Sequence, residues 1–188
     1  SRKARNILLR TRTIDLAGTD TDGDPLYRLE IADVGGYVYT GKEICPEVTI
    51  MRMAGNGPAG IGSENYDLVY ENNISAGSAR VTVTGKGNYS GSLTARFVIQ
   101  KKAQTITASD VKKKVGDQPF PLGASVDGDG KLSYSSSNPA VVQVSDTGLV
   151  TIFGAGSAGI TIHAEETDNY REAQRTVTVT VEKPSDST

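Results

Sequence analysis

Gly77-Ser78-Ala79-Arg80-Val81-Thr82-Val83 and Gly156-Ser157-Ala158-Gly159-Ile160-Thr161-Ile162 are two versions of one phrase. The first is followed by Asn88-Tyr89 and the alternating run Leu93 to Ile99, the second by Asn169-Tyr170 and the alternating run Thr176 to Val181. In each, residues of one parity are apolar and those of the other are mostly polar. A period of two means a strand with one buried and one solvated face, as in an antiparallel sheet. The copies lie about 80 residues apart, the size of one small domain, so the repeat predicts two modules in tandem.

Outward from each phrase the same signature continues. Upstream of the first copy, Val38-Tyr39 leads into the turn Thr40-Gly41-Lys42, and Val48 and Ile50 share a parity. A loop follows from Ala54 to Ser63, then Tyr66, Leu68 and Tyr70 alternate with Asp67 and Val69 before the turn at Asn72-Asn73. Upstream of the second copy come Thr105-Ile106-Thr107-Ala108, then Phe120 and Leu122, then the turn Asp127-Gly128-Asp129-Gly130. Leu132 and Tyr134 share a face, Val142 and Val144 follow, and Asp146-Thr147-Gly148 turns into Leu149-Val150-Thr151-Ile152. No segment sustains a helical period. Short strands at regular spacing predict an all-β chain of β-sandwiches.

Composition narrows the function classes. The net charge is −2 with both signs dispersed. No basic stripe is present to neutralise a phosphate backbone, which argues against nucleic acid as a partner. Lys112-Lys113-Lys114 is the longest basic run and reads as a solvated loop or strand edge. Cys45 is the only cysteine, so no intrachain disulfide can form. No apolar run approaches the length of a membrane-spanning helix, so no membrane insertion is expected within this segment. The chain opens on Ser1-Arg2-Lys3, with neither an initiator Met nor a signal peptide, and reads as a segment of a longer protein.

The string Leu132-Ser133-Tyr134-Ser135-Ser136-Ser137-Asn138-Pro139-Ala140-Val141-Val142-Gln143-Val144, with Gly148-Leu149-Val150-Thr151 and Gly154 to Ile162, resembles the bacterial immunoglobulin-like domain of the second group, found in intimin- and invasin-type adhesins. It departs from that pattern at Tyr134, where the family often carries Trp. Tyr39-Thr40-Gly41-Lys42, Tyr66 to Tyr70 and Gly85-Lys86-Gly87-Asn88-Tyr89 resemble a repeat of Gram-positive surface proteins. Cys45 stands there where a small polar residue is usual. The resemblances imply two tandem immunoglobulin-like antiparallel sandwiches and an extracellular, cell-surface or cell-wall location. They supply no catalytic residues. The expected division is an N-terminal extension or remnant hairpin at 1–28, a first sandwich at 29–100, a short linker of limited swing at 101–104, an immunoglobulin-like domain at 105–182 and a disordered tail at 183–188.

Candidate chemistry is sparse. His163, the single histidine, shares a parity with Thr161 and Glu165 and is expected at the surface, with no partner in sequence for nucleophilic catalysis. Asp20, Asp22 and Asp24 alternate like the first ligands of a calcium loop. Pro25 and Ile31 stand where such a loop needs Gly and an acid, so the stretch reads as an acidic turn and no metal site is expected. Asp127 and Asp129 read as turn residues. The eight tyrosines, Tyr27, Tyr37, Tyr39, Tyr66, Tyr70, Tyr89, Tyr134 and Tyr170, would stack sugars if exposed and coplanar, and otherwise fill cores that lack Trp. Glu165 and Glu166 point to opposite faces of a strand and cannot share a site. Asn73-Ile74-Ser75 and Asn88-Tyr89-Ser90 match the glycosylation sequon, read as chance in a bacterial protein. The expected function is a non-catalytic stalk or adhesion segment, monomeric and without cofactor, with a host surface protein or a glycan as partner. The alternative is an accessory binding module of a surface enzyme.

Overall fold

The computed structural model describes residues 13–32, 36–53 and 59–185. The Ile7-Leu8-Leu9 run, the start of the extension, part of the 54–63 loop and the last three tail residues lie outside the described residues. By its internal contacts the chain divides into two compact units, Ser1–Gln100 and Lys101–Thr188.

In the first unit, described strands are β1 (Ile14–Asp15), β2 (Tyr27–Ile31), β3 (Tyr37–Val38), β4 (Val48–Arg52), β5 (Ala59–Gly60), β6 (Tyr66–Glu71), β7 (Gly77–Gly85), β8 (Tyr89–Ser90) and β9 (Ser92–Gln100). One sheet runs β3-β9-β7-β6 and another β2-β4-β5, while β1 pairs with β8. Inward residues of both larger sheets meet: Tyr27 and Ile50 pack with Val83 and Leu93, and Phe97 and Ile99 with Ile31 and Tyr37. This is a β-sandwich.

The second unit carries β10 (Ile106–Thr107), β11 (Val111–Lys114), β12 (Phe120–Pro121), β13 (Ser125–Val126), β14 (Leu132–Ser136), β15 (Val142–Val144), β16 (Leu149–Ile152), β17 (Gly156–Ala164) and β18 (Ala173–Glu182). Its sheets run β11-β18-β17-β14 and β12-β16-β15, with β10 paired to β13. Phe120, Val142 and Val150 of one sheet close on Ile160, Ile162, Val177 and Val179 of the other.

The repeated phrase occupies one structural position in both units. It forms β7 and β17, the penultimate strand of each four-stranded sheet, and each pairs antiparallel with the last long strand. Gly77 aligns with Ile99, and Gly156 with Val181. Both glycines have φ beyond +130°, a region closed to residues with a Cβ, which is why both phrases open on Gly. Ala79, Val81 and Val83 are buried in one strand, and Ala158, Ile160 and Ile162 in the other.

Three expectations need correction. The division drawn at 28/29 falls inside β2, and Leu16 and Tyr27 are core residues of the first unit. Residues 13–28 are therefore built into that unit: they carry apolar side chains that its core needs, and β1 runs parallel to β8 with Ile14 beside Tyr89. The 101–104 segment, expected as a short linker of limited swing, is bonded into the second unit. Lys102 donates its N–H to Asn169 and accepts one from Arg171. Leu68 shares the inward parity of Tyr66 and Tyr70 but remains 38% exposed, because β6 is the edge of its sheet and lacks a neighbour on one side.

Candidate interaction surface and terminal parallel strands

Register lets the solvated faces of the two four-stranded sheets be compared position by position. On β17 and β18 the outward pairs are Ser157 with Thr180, Gly159 with Thr178, Thr161 with Thr176, and His163 with Gln174. Ser133 and Ser135 continue that face on β14, and Lys112 and Lys114 on β11. It carries no large apolar side chain. The Thr161 and Thr176 hydroxyls stand 3.1 Å apart, and Ser137 Oγ accepts the Gly159 N–H at 2.8 Å.

The matching face of the first unit differs. Its outward pairs are Ser78 with Val98, Arg80 with Arg96, Thr82 with Thr94, and Thr84 with Ser92. Val98 is 62% exposed, and Val38, on the neighbouring strand, 45%. By register the second unit has Thr180, Lys114 and Thr178 where the first has Val98, Val38 and Arg96. The two arginines face each other across β7 and β9, an unfavourable pairing of like charges. Glu71 relieves Arg80 through an ion pair at 2.5 Å. Arg96 has no such relief: among the described residues it has no hydrogen-bond or ion-pair partner. Beside it, where the short β3 begins, Ile31, Tyr37, Arg96, Val98 and Gln100 border a depression of about 300 Å³.

The hydrogen bond from Arg80 holds the Glu71 carboxyl below its ordinary range. A carboxyl lowered by folding contributes stability above its unfolded pKa, and that contribution is lost as pH falls through the folded value. We expect NMR titration to place Glu71 below the other glutamates, and Arg80→Gln to return it to their range. An unchanged Glu71 midpoint in that variant would contradict the assignment.

In each unit a short early strand lies parallel to the last long strand. β3 runs beside the end of β9. β11 runs beside the end of β18, from Val111 opposite Val179 to Lys114 opposite Glu182. Two further bonds extend the second ladder: Thr178 donates to Asp110 Oδ1 at 2.9 Å, and Val115 donates to the Glu182 carbonyl. Gln104, 5% exposed, anchors the point where the chain enters this unit. Its amide donates to the carbonyls of Glu165 and Arg171, and its Oε1 accepts the Gly130 N–H. Sequence reasoning passed over Gln104 as part of a polar joint. A single Gln between Ala103 and Thr105 carries no sign of burial.

The residues singled out from sequence stay apart. His163 is half-buried on the outward face and meets Glu172 at 3.2 Å. Asp20 Oδ1 accepts the N–H groups of Asp22 and Asp24, both at 2.9 Å, which is a turn held by its first side chain. Thr167 donates to Asp129, tying together the loop that contains Asp127 and Asp129. Glu166 pairs with Lys101 at 3.3 Å. All eight tyrosines are buried or half-buried. Tyr27 and Tyr89 meet edge to face, and burial raises the Tyr27 phenol pKa. The Tyr70 hydroxyl donates to the Pro46 carbonyl at 2.5 Å, and burial raises its pKa too. Asn73 is buried, with its amide on the Ile44 carbonyl and Cys45 Sγ, so the first sequon offers no accessible acceptor. Cys45 itself is exposed.

No curated protein matches this chain. Among solved structures, Drosophila N-cadherin EC1-3 is similar at 13% identity and TM-score 0.34, over 92% of this chain. The chain spans 64% of the length of that cadherin structure. Human mucin-like protocadherin EC1-2 is similar at 10% identity and TM-score 0.31, covering 92% of this chain and 95% of its own. Among the described residues no helix is long and apolar enough to cross a membrane. A family model matches within the second unit: residues 123–166, from just before β13 to just past β17, are similar to the immunoglobulin-like domain of intimin.

Proposed function

We propose that the chain is a non-catalytic structural and adhesion segment of a bacterial cell-surface protein, placed outside the cell and serving as a force-bearing stalk. The observation that carries this reading is the parallel ladder of β11 on β18. Tension enters the second unit near Gln104 and leaves after Glu182, so it pulls parallel neighbours in opposite directions along their length. Hydrogen bonds loaded in shear share the force, whereas bonds loaded from one end break in turn. The intimin-type match supports a surface module, and the scattered candidate residues offer no set of converging catalytic groups.

Force spectroscopy tests this directly. In a Cys45→Ser background, pulling the chain through its two ends should unfold the second unit in one step at high force. Pulling between cysteines placed at Gln118 and Ser185, which lie toward the same end of the parallel pair, should unzip it at a several-fold lower force. Equal forces in the two geometries would sink the stalk reading.

A further inference from the structure

We propose that the outward face of the β3-β9-β7-β6 sheet docks an external protein partner through a carboxylate flanked by apolar side chains. Scattered surface valines are ordinary. What sets these apart is that the second unit builds the same sheet with Thr180 and Lys114 at the positions of Val98 and Val38. The fold therefore does not require apolar residues there. Arg96 stands beside Val98 with no partner among the described residues, opposite a second arginine whose charge Glu71 already meets. Among the described residues the row has two cations and one anion, so its complement is an acid. An arginine presents a planar fork of donors suited to a carboxylate, and the adjoining depression gives that acid and its apolar neighbours a place to sit.

A second copy of this chain is a poorer occupant. The acids of the same face, Asp67 and Glu71, are already paired with Lys86 and Arg80. The exposed face is also small. Three strands about 4.8 Å apart and six to nine residues long, with the two-residue β3 beside them, give on the order of 400 Å², below the roughly 800 Å² per partner of a stable interface. It suits a weak contact multiplied along a surface array.

The test is selection of random dodecamer peptides on the purified 188-residue chain, followed by NMR mapping with the selected peptide. Two variants borrow the second unit's own residues, Arg96→Thr and Val98→Thr, so the fold should tolerate both. Arg175→Thr, on the other unit, is the control. We expect enrichment of Asp or Glu next to Val, Leu or Phe, and shifts confined to Val38 and Thr94–Val98. Arg96→Thr should lose about tenfold or more in affinity, the size of a hot-spot truncation, and Val98→Thr several-fold. Val98→Thr would separate docking from simple charge attraction. Unenriched peptides, or affinity that survives Arg96→Thr, would overturn the proposal. So would a concentration-dependent dimer abolished by Val98→Thr, which would assign the face to a second copy. Neither failure touches the force measurement, which concerns the other unit.

Discussion

Ile160→Ala should unfold the second unit at a markedly lower temperature and leave the first unit's transition in place. Ile160 is fully buried at the centre of β17, between β14 and β18. Removing its side chain costs the lost transfer energy plus a cavity, about 2–5 kcal/mol. For a domain of this size that lowers the melting temperature by roughly 10–30 °C. The first unit should be spared because the clusters are separate: the apolar residues around Ile160 all belong to residues 106–181, and those of the first unit to residues 16–99. Calorimetry of the whole chain checks both parts. Two transitions, only one of them displaced, is the expected trace, and a joint displacement would mean that the units fold as one.

Gln104→Ala is expected to cost about 2–4 kcal/mol, more than its polar identity suggests. The variant strands three backbone groups, the carbonyls of Glu165 and Arg171 and the Gly130 N–H, in a nearly dry site. Each buried group left without a partner costs about 1–3 kcal/mol, and water entering the vacated space recovers part of that. Gln104→Glu should fail to rescue, since a carboxylate accepts from Gly130 but has no hydrogen to give to two carbonyls. Hydrogen exchange should show the largest loss of protection at Gly130 and in the bonds between Lys102 and the Asn169–Arg171 loop. If Gln104→Glu matches the native chain in denaturant, the amide is not acting as a donor there.

The two variants bracket what could be read early. Ile160 was legible: it lies in an alternating run, and parity alone assigned it to the core. Gln104 was not, because its burial comes from segments distant in sequence that close over it. The same distinction separates Leu68 from Val81. Both have inward parity, but Leu68 lies on an edge strand and Val81 between two neighbours. Phe97-Val98-Ile99 shows the limit on the surface side. Alternation placed Phe97 and Ile99 inside, which left Val98 outward, yet nothing in the run said whether another element would cover it.

The sequence by itself determined the all-β class, the parity of the long strands and the common place of the repeated Gly-Ser-Ala phrase. These follow from covalent geometry, since successive side chains of a strand point to opposite faces wherever the strand lies. The tertiary structure alone decided that β11 closes in parallel on β18, that Leu16 and Tyr27 belong to the first core, that Gln104 is buried, and that Arg96 and Val98 stand uncovered. Each depends on which distant segments meet, and the energy of that choice lies in contacts between residues that do not neighbour one another along the chain.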